Sequence, residues 1–269
     1  MYKVVVTDID DTLLDSNGQL SPKTKEVIAK CKENDIKVIL ASGRPDFGMM
    51  HLVKELGLDE YDNYLLSYNG AKLSNLATGE VVYDKMLEVD RIKYLISKSQ
   101  EYGLDILTYQ GDVVLTNKEN PYAEWEANAL RVDLKVEENL VDLIKEKAAK
   151  VIMLDDPETA KEAKEKVNSD IGHEYEVAMS KPFFIEVNDK GISKGAALDF
   201  LCKKLGIDKS EMIALGDGLN DLSMIEFAGL GVAMGNAGDL VKSKADFISK
   251  TNDEDGFAYA IEEFVLNKL

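Results

Sequence analysis

The chain has 269 residues, 45% of them hydrophobic, which is enough to bury one large core or two smaller ones. Its formal net charge of -18 at pH 7 argues against general binding to nucleic acid or to an anionic membrane. Its two cysteines, Cys31 and Cys202, form no Cys-x-x-Cys pair, so we expect neither a disulfide framework nor a zinc site. We expect both cysteine side chains to be buried. No run of about 18 apolar residues suggests a membrane span, so we expect a soluble, cytoplasmic protein.

The first third of the chain alternates between predicted strands and helices. Three buried strands are predicted, over residues 4–7, 37–41 and 64–67. The segments that follow these strands are polar or turn-forming: Asp8, Asp10 and Asp11, then Ser42–Pro45, then Tyr68–Gly70. Ser21 and Pro22 form a typical helix start, and Pro45 is expected to open another helix. This β-α-β-α order indicates a parallel sheet.

The middle of the chain has a different pattern, with hairpins that are typical of antiparallel sheets. Three strand pairs are predicted, over 71–73 with 81–85, 104–109 with 113–116, and 175–179 with 183–187. A further strand is expected over 151–154, and helices over 89–102, 121–129, 137–145 and 157–169. Asp155 and Asp156, which precede Pro157, are interpreted as a helix cap. We expect this part of the chain to be a separate α+β module.

After residue 187 the first rhythm returns. Gly191–Gly195 stands at the head of a helix that is expected to reach about Leu205. Strands are predicted over 212–215, 229–233 and 246–248, with helices between them and a last helix from about residue 254. The sequence thus predicts an α/β protein: a Rossmann-like, doubly wound parallel sheet with an inserted α+β domain. The predicted boundaries are 1–82 plus 187–269 for the core and 83–186 for the insertion.

Polar side chains follow several of the predicted buried strands, and the carboxyl ends of parallel strands share one edge of a sheet. The side chains expected to meet there are Asp8, Asp10, Ser42, Asp217, Asn220 and Asp221. Clustered carboxylates are costly unless a cation neutralises them or they share protons. Oxygen ligands of this kind suit Mg²⁺. The alternative is that the acids at any one strand end merely cap a helix or form a solvated turn.

Lys194 lies in the first turn of a predicted helix, where a positive charge faces the unfavourable end of the helix dipole. Ser193 before it is a suitable N-cap. A lysine placed there beside an acidic site could hold an anionic substrate or restrain a nucleophilic carboxylate. The alternative is an exposed lysine that points into solvent, as most lysines do.

Other catalytic chemistries have little support in the sequence. There is no Gly-x-Ser-x-Gly elbow and no Walker sequence, and His51 and His173 are the only histidines, which leaves little for a serine or cysteine triad. Gly216–Asp221 resembles half of a dinucleotide-binding fingerprint, but Asp221 stands where the third glycine is needed. These glycines are therefore assigned to turns and close packing.

Four segments in register resemble the motifs of the haloacid dehalogenase superfamily of phosphotransferases. The first is Asp8–Thr12, which matches Asp-x-Asp-x-Thr on the first strand. Ser42, Lys194 and Gly216–Asp221 match the second, third and fourth motifs in the right order. The large insertion, together with Ser42–Pro45 and Tyr68–Gly70, is similar to the Cof-type subgroup of sugar and metabolite phosphatases. The resemblance covers the whole chain.

The resemblance implies roles for these residues. Asp8 would be the nucleophile that forms an aspartyl-phosphate, Asp10 the general acid and base, and Lys194 a further catalytic group. Mg²⁺ would be held by Asp8, the main-chain carbonyl of Asp10, Asp217 and Asp221. Phosphate or substrate would contact Thr12, Ser42, Gly43, Arg44, Asn69, Lys194 and Asn220. For Arg44 and Asn69 the alternatives are an arginine paired with a surface acid and an ordinary turn asparagine.

The implied activity is Mg²⁺-dependent hydrolysis of small phosphorylated metabolites, sugar phosphates foremost, with the insertion as a cap that excludes water and selects the leaving group. Two alternatives stay open: a phosphomutase similar to phosphomannomutases, and a binding or regulatory protein without turnover. Asp11 departs from the family, which commonly has glycine there, and its purpose is unassigned. If this position needs a left-handed backbone, Asp tolerates it better than most residues. The sequence makes no prediction of oligomeric state.

Overall fold

The computed structural model describes residues 1–268, which form two compact units. The first combines residues 1–84 with the chain from Ile192 onward, and the second is Lys85–Gly191. The helices are α1 Pro22–Glu33, α2 Asp46–Glu55, α3 Val89–Tyr102, α4 Pro121–Leu130, α5 Pro157–Ile171, α6 Lys194–Leu205, α7 Leu222–Phe227, α8 Asp239–Lys244 and α9 Gly256–Phe264. The strands are β1 Val4–Thr7, β2 Lys37–Ala41, β3 Tyr64–Ser67, β4 Lys72–Asn75, β5 Val81–Asp84, β6 Asp105–Gln110, β7 Val113–Thr116, β8 Asp133–Val136, β9 Lys150–Leu154, β10 Tyr175–Lys181, β11 Phe184–Asp189, β12 Met212–Gly216, β13 Leu230–Ala233 and β14 Phe247–Ile248.

The sheet of the first unit has the strand order β14-β13-β12-β1-β2-β3-β4-β5. The strands from β14 to β3 are parallel, and β4 and β5 add an antiparallel edge. The chain winds outward from β1 through β2 and β3 on one side, and from β12 through β13 and β14 on the other. The boundary between β1 and β12 is therefore the topological switch point, where open α/β sheets bind ligands beyond the strands' carboxyl ends.

Both faces of this sheet are buried, as the predicted doubly wound architecture requires. Val5 of β1 belongs to an apolar cluster with residues of α1, α2 and α9, whereas Val4 and Val6 belong to a cluster with residues of α6 and α7. The predicted start of α1 is confirmed, because the Ser21 hydroxyl accepts a 3.0 Å hydrogen bond from the Thr24 backbone N–H. Both cysteines are buried, as expected. Within residues 1–268 no helix is both long and apolar enough to cross a membrane.

The second unit contains a sheet in the order β10-β11-β9-β6-β7-β8. Residues of α3 and α5 pack on one of its faces, and residues of α4 pack on the other. The predicted hairpins β6–β7 and β10–β11 are antiparallel pairs. The predicted cap of α5 is confirmed, since the Asp156 carboxylate accepts hydrogen bonds from the backbone N–H groups of Glu158 and Thr159.

The predicted helix over 137–145 is wrong. The segment instead begins directly after β8, which pairs in parallel with β7, and it contains a short 3₁₀ turn at Leu140–Leu143. Leu140 and Ile144 are both buried, and their spacing of four residues imitates one face of a helix. The last helix, expected from about residue 254, is α9, which begins at Gly256 after a 3₁₀ turn at Asn252–Glu254.

Candidate active site

The site begins where two parallel strands end side by side. Thr7 of β1 is in register with Leu215 of β12, and the Asp8 backbone N–H donates a 3.0 Å hydrogen bond to the Leu215 carbonyl. Asp8 directly follows β1, and Asp217 directly follows β12. The predicted meeting of these two carboxylates at one sheet edge therefore results from the register of the central strand pair.

Lys194 is the first residue of α6 and is completely buried. Its Nζ lies 2.6 Å from Asp8 Oδ1 and 2.5 Å from Asp221 Oδ1. The predicted N-cap is present, because the Ser193 hydroxyl accepts a 3.1 Å hydrogen bond from the Ala196 backbone N–H. The alternative of an exposed lysine is thereby excluded. Lys194 instead bridges the acid after β1 and the acid before α7.

Asp221 is buried and organises the loop after β12. Its Oδ2 accepts hydrogen bonds from the backbone N–H groups of Asp217 at 3.0 Å and of Gly218 at 2.9 Å, while Oδ1 accepts from Lys194. The loop leaves no space for a side chain at Gly216, where a Cβ atom would lie 2.5 Å from the Asp221 Cβ. Asp221 thus sets the position of Asp217 through its main chain.

Asp217 is tied back to the loop after β1. The Thr12 hydroxyl donates a 2.8 Å hydrogen bond to Asp217 Oδ1. Burial raises the pKa of the Asp217 carboxyl, against the effect of the Thr12 hydrogen bond, and the charges of Asp221 and Asp11 act in the same direction as burial. The first and fourth predicted motifs therefore meet through a direct side-chain contact.

The electrostatics of the cluster favour an additional cation. Burial raises the pKa of the Asp8 carboxyl to about 7, with Lys194 opposing this shift and Asp221 and Asp217 adding to it. Burial alone would lower the pKa of Lys194, but the charges of Asp8 and Asp221 outweigh it, so that its pKa is raised. Lys194 therefore stays charged, and this one ammonium group faces three carboxylates.

These three carboxylates fit a hard divalent metal ion. Asp8, Asp217 and Asp221 each offer one oxygen, and the three oxygens lie within 4.8 Å of one another. Oxygen-only sets of a few carboxylates are what Mg²⁺ uses in proteins, together with water and substrate oxygens. The donor chemistry of this structure is thus compatible with the expected metal.

Asp10 is held differently from the other acids. Arg44 donates from Nε to Asp10 Oδ2 at 2.9 Å and from Nη2 to Oδ1 at 2.5 Å, which is a bidentate pair. The Arg44 backbone N–H in turn donates to the hydroxyl of Ser42, which is buried, at 3.2 Å. Arg44 is therefore paired with an acid, as one of the two alternatives for this residue predicted. That acid, however, is Asp10 of the first motif.

The predicted turn at Tyr68–Gly70 reaches the same sheet edge. Tyr68 and Asn69 both have positive φ, 52° and 56°, which Asn tolerates but which is uncommon for a residue as large as Tyr. The Asn220 amide donates a 3.0 Å hydrogen bond to Asn69 Oδ1, and a Cβ atom on Gly43 would lie 3.1 Å from the Asn69 amide. Asn69 therefore links the loops of the second and fourth motifs.

Asp11 has a left-handed backbone, with φ of 57°, a conformation that Asp tolerates better than most residues. Its carbonyl accepts a 2.8 Å hydrogen bond from the side-chain amide of Asn236. Sequence reasoning missed Asn236, although it follows β13 closely and so obeys the same strand-end rule that found Asp8 and Asp217. The structure thus places all the predicted site residues in the first unit and adds one from a further strand end.

The comparison with known protein families agrees with these motifs. A model of haloacid dehalogenase-like hydrolases matches residues 5–261. The chain belongs to this family. The expectation of a haloacid dehalogenase-type phosphatase with a doubly wound α/β core is confirmed.

Relatives of this hydrolase match it along nearly its whole length. The 5-amino-6-(5-phospho-D-ribitylamino)uracil phosphatase YcsE of Bacillus subtilis is 32% identical and covers 98% of this chain, which in turn covers 96% of that protein. The structure of a haloacid dehalogenase-like hydrolase from Bacteroides thetaiotaomicron is 36% identical, has a TM-score of 0.90, and matches over 98% of this chain and 99% of its own. The structure of a sugar phosphatase of subclass IIB, BT4131, is 25% identical with a TM-score of 0.77, over 97% and 98% of the two chains.

Proposed function

We propose that this phosphatase hydrolyses phosphomonoesters of small metabolites in the cytoplasm, sugar phosphates foremost, with Mg²⁺ and through an aspartyl-phosphate. The observation that carries the proposal is the buried bridge from Lys194 to Asp8 and Asp221. A buried carboxylate held by a buried ammonium group, at the switch point of an α/β sheet, is a preorganised nucleophile.

In the first half-reaction Asp8 attacks the phosphorus atom, and the bond from phosphorus to the leaving oxygen breaks. Asp10 gives its proton to that oxygen, and the product alcohol departs. In the second half-reaction water attacks the same phosphorus, Asp10 takes a proton from the water, and the Asp8 carboxylate is regenerated as inorganic phosphate leaves. Lys194 holds Asp8 in the attacking orientation throughout and balances part of the charge at the site.

Mg²⁺, bound by Asp8, Asp217, Asp221 and the main-chain carbonyl of Asp10, would supply positive charge next to the transferring phosphoryl group. Thr12, Ser42 and Asn220 would donate hydrogen bonds to its oxygens, and Gly43 would let the loop after β2 approach it closely. Arg44 and Asn69 would contact the substrate from the first unit. Positioning and charge neutralisation are most of what phosphoryl transfer requires.

The choice of substrate is assigned to the second unit, Lys85–Gly191, in the role of a cap. Support for small phosphorylated metabolites comes from two of the proteins that this chain resembles. One acts on a phosphorylated ribitylamino-uracil, and the other is described as a sugar phosphatase.

The mechanism is tested by hydrolysis of p-nitrophenyl phosphate with Mg²⁺ and with EDTA. Wild type is expected to turn over only with Mg²⁺, and Asp8→Asn is expected to be slower by about a thousandfold or more, since it removes the nucleophile. Asp35→Asn is a matched control, because it makes the same substitution at an exposed position. Asp35 has φ of 58°, a backbone conformation that Asn tolerates. Equal rates for wild type and Asp8→Asn would contradict the mechanism.

The substrate class is tested by kinetics on a panel of sugar phosphates, nucleotides and phosphorylated cofactors. We expect the highest kcat/KM among the sugar phosphates. Interconversion of hexose phosphates without release of phosphate would favour the phosphomutase alternative. Tight binding of phosphate analogues without turnover of any substrate would favour the regulatory alternative.

A further inference from the structure

The loop after β1 carries three of the groups that the proposed function uses, namely Asp10, its carbonyl and Thr12. The loop closes on itself, because the backbone N–H groups of Leu13 and Leu14 both donate to the Ile9 carbonyl, at 3.0 and 2.9 Å. Asp11 takes its left-handed conformation within this turn. The turn is short and irregular, so its exact shape depends on what holds it from outside.

Two asparagines from the C-terminal part of the chain hold this turn at both of its ends. The Asn236 side-chain amide donates a 2.8 Å hydrogen bond to the Asp11 carbonyl. The Asn252 side-chain amide donates a 3.1 Å hydrogen bond to the Leu14 carbonyl. The two asparagines are also linked, because the Asn252 backbone N–H donates to Asn236 Oδ1 at 3.0 Å. Together they form a clamp, the Asn236–Asn252 clamp, around residues 11–14.

The clamp is itself fixed to the end of β12, next to Asp217. The Met234 backbone N–H donates a 3.0 Å hydrogen bond to the carbonyl of Gly216, the residue before Asp217. The next residue, Gly235, donates to the Lys250 carbonyl at 2.9 Å and lies so close to that segment that a Cβ atom on it would stand 2.7 Å from the Thr251 nitrogen. The backbone that presents Asn236 is thus tied to the end of β12 and to the segment that leads to Asn252.

We propose that Asn236 and Asn252 are positioning residues that set the geometry of the metal site. They fix the peptide groups of residues 11–14, and through them the main-chain carbonyl of Asp10 and the Thr12 hydroxyl, relative to Asp217. A turn that is already ordered loses less conformational freedom when its groups bind a metal ion, so preorganisation raises affinity. This inference rests on the proposed function, because it assigns the Asp10 carbonyl and Thr12 to that site.

The same loop offers a matched control. Asp253, next to Asn252, accepts hydrogen bonds from the Ser16 backbone N–H at 2.9 Å and from the Ser16 hydroxyl at 2.7 Å. This contact also ties the loop to the C-terminal segment, but at an exposed point beyond the turn. If only general tethering of the loop mattered, loss of Asp253 would act like loss of the clamp.

The test is calorimetric titration of Mg²⁺ into Asn236→Ala, Asn252→Ala, Asp253→Ala and wild type, without substrate. Each clamp variant loses its side-chain hydrogen bond to the turn, and Asn236→Ala also loses the bond that it accepts from the Asn252 backbone N–H. We expect either variant to raise the Kd for Mg²⁺ by roughly three- to tenfold, whereas Asp253→Ala is expected to stay within about twofold of wild type. Thermal unfolding with EDTA shows whether each variant is folded. Asn236 is exposed, so its replacement by Ala should leave the fold intact.

The inference is overturned if a folded Asn236→Ala protein binds Mg²⁺ as tightly as wild type, if Asp253→Ala weakens binding as much as the clamp variants do, or if wild type binds no Mg²⁺. Failure of the proposed function is a separate result, namely that wild type hydrolyses no phosphomonoester. Because the titration contains no substrate, Mg²⁺ affinities that follow the expected order support the clamp whatever the phosphatase assay shows.

Discussion

Gly70 lies so close to Ser193 that a Cβ atom on Gly70 would stand 2.3 Å from the Ser193 carbonyl oxygen. Gly70 also has φ of 99°, outside the range that side chains with a Cβ atom readily adopt. Ser193 caps α6, whose first residue is Lys194. The turn after β3 therefore sets the position of the helix that delivers the buried lysine.

Gly70→Ala is expected to lower the free energy of unfolding by roughly 2–4 kcal/mol, because the backbone strain and the clash with main-chain atoms add together. Urea denaturation of wild type and of Gly70→Ala measures this difference in the free energy of unfolding. Gly79→Ala is the matched control, with φ of 72° and no neighbouring atom within 4 Å of the added Cβ. Gly79→Ala should lower the free energy of unfolding only by the backbone conformational penalty of about 1–2 kcal/mol. Equal losses at the two glycines would show that contact with Ser193 is unimportant.

Replacement of Lys194 by Met removes the charge and keeps most of the side-chain volume. Asp8 and Asp221 would then lose the ammonium group that bridges them inside the protein. Breaking a buried pair by removing one partner costs roughly 3–5 kcal/mol. We therefore expect a large fall in the urea midpoint of Lys194→Met when metal is absent, together with loss of phosphatase activity.

Lys203→Met on the same helix is the control for Lys194→Met. Lys203 is exposed and pairs with Asp199 one turn away, a kind of contact that contributes little to stability. Its replacement is expected to leave the urea midpoint and the activity near those of wild type. A Lys194→Met protein that is as stable as this control would contradict the assignment of a buried ion bridge.

The two cysteines are expected to react slowly with thiol reagents in the native protein. Burial raises the pKa of the Cys31 thiol to about 12, and burial also raises that of Cys202. The thiolate is the reactive form, so labelling at pH 8 should be limited by opening of the structure. Cys202, which is slightly more exposed than Cys31, should react first. Labelling with Ellman's reagent, with and without urea, measures the two rates, and the variants Cys31→Ala and Cys202→Ala show which rate belongs to which cysteine. Immediate labelling of Cys31 in the native protein would contradict its burial.

The strand-end argument found the main part of the site because it depends on local sequence and on a topological rule. Buried strands are recognisable from β-branched runs, and the carboxyl ends of parallel strands meet at one edge. Asp8, Ser42 and Asp217 were predicted on that basis. The unfavourable position of Lys194 on its helix leaves open whether the side chain is exposed or paired, and the family resemblance assigns it to the site. The structure shows that two carboxylates compensate its charge.

The remaining contacts depend on side-chain directions that periodicity does not encode. The bidentate pair of Arg44 with Asp10 and the hydrogen bond from Asn236 to Asp11 join residues 34 and 225 positions apart. A sequence pattern shows which residue types are available, but not which of several neighbouring loops each side chain meets. The wrong helix over 137–145 has a related cause, because Leu140 and Ile144 are buried at helical spacing although one lies in a 3₁₀ turn and the other in the extended chain after it.

The pair of Arg44 and Asp10 leads to a prediction that depends on the leaving group. Arg44 holds both carboxylate oxygens of Asp10, and lysine cannot reproduce such a bidentate contact. If Arg44 positions Asp10 for proton donation, Arg44→Lys should lower kcat/KM for an alkyl phosphate by roughly ten- to a hundredfold, a substantial part of what general acid catalysis contributes. The loss for p-nitrophenyl phosphate should be much smaller, because nitrophenolate leaves without a proton.

Asp10→Asn serves as the reference for Arg44→Lys, since it removes the proton donor itself and should show the same dependence on leaving group with a larger amplitude. Arg91→Lys is the control for the substitution, because Arg91 pairs with Asp189 within the second unit and has no assigned role in the chemistry. Steady-state kinetics of the variants with both substrates provides the comparison. If Arg44→Lys lowers kcat/KM for both substrates by the same factor, Arg44 acts on the phosphoryl group that they share, and its role in positioning Asp10 is excluded.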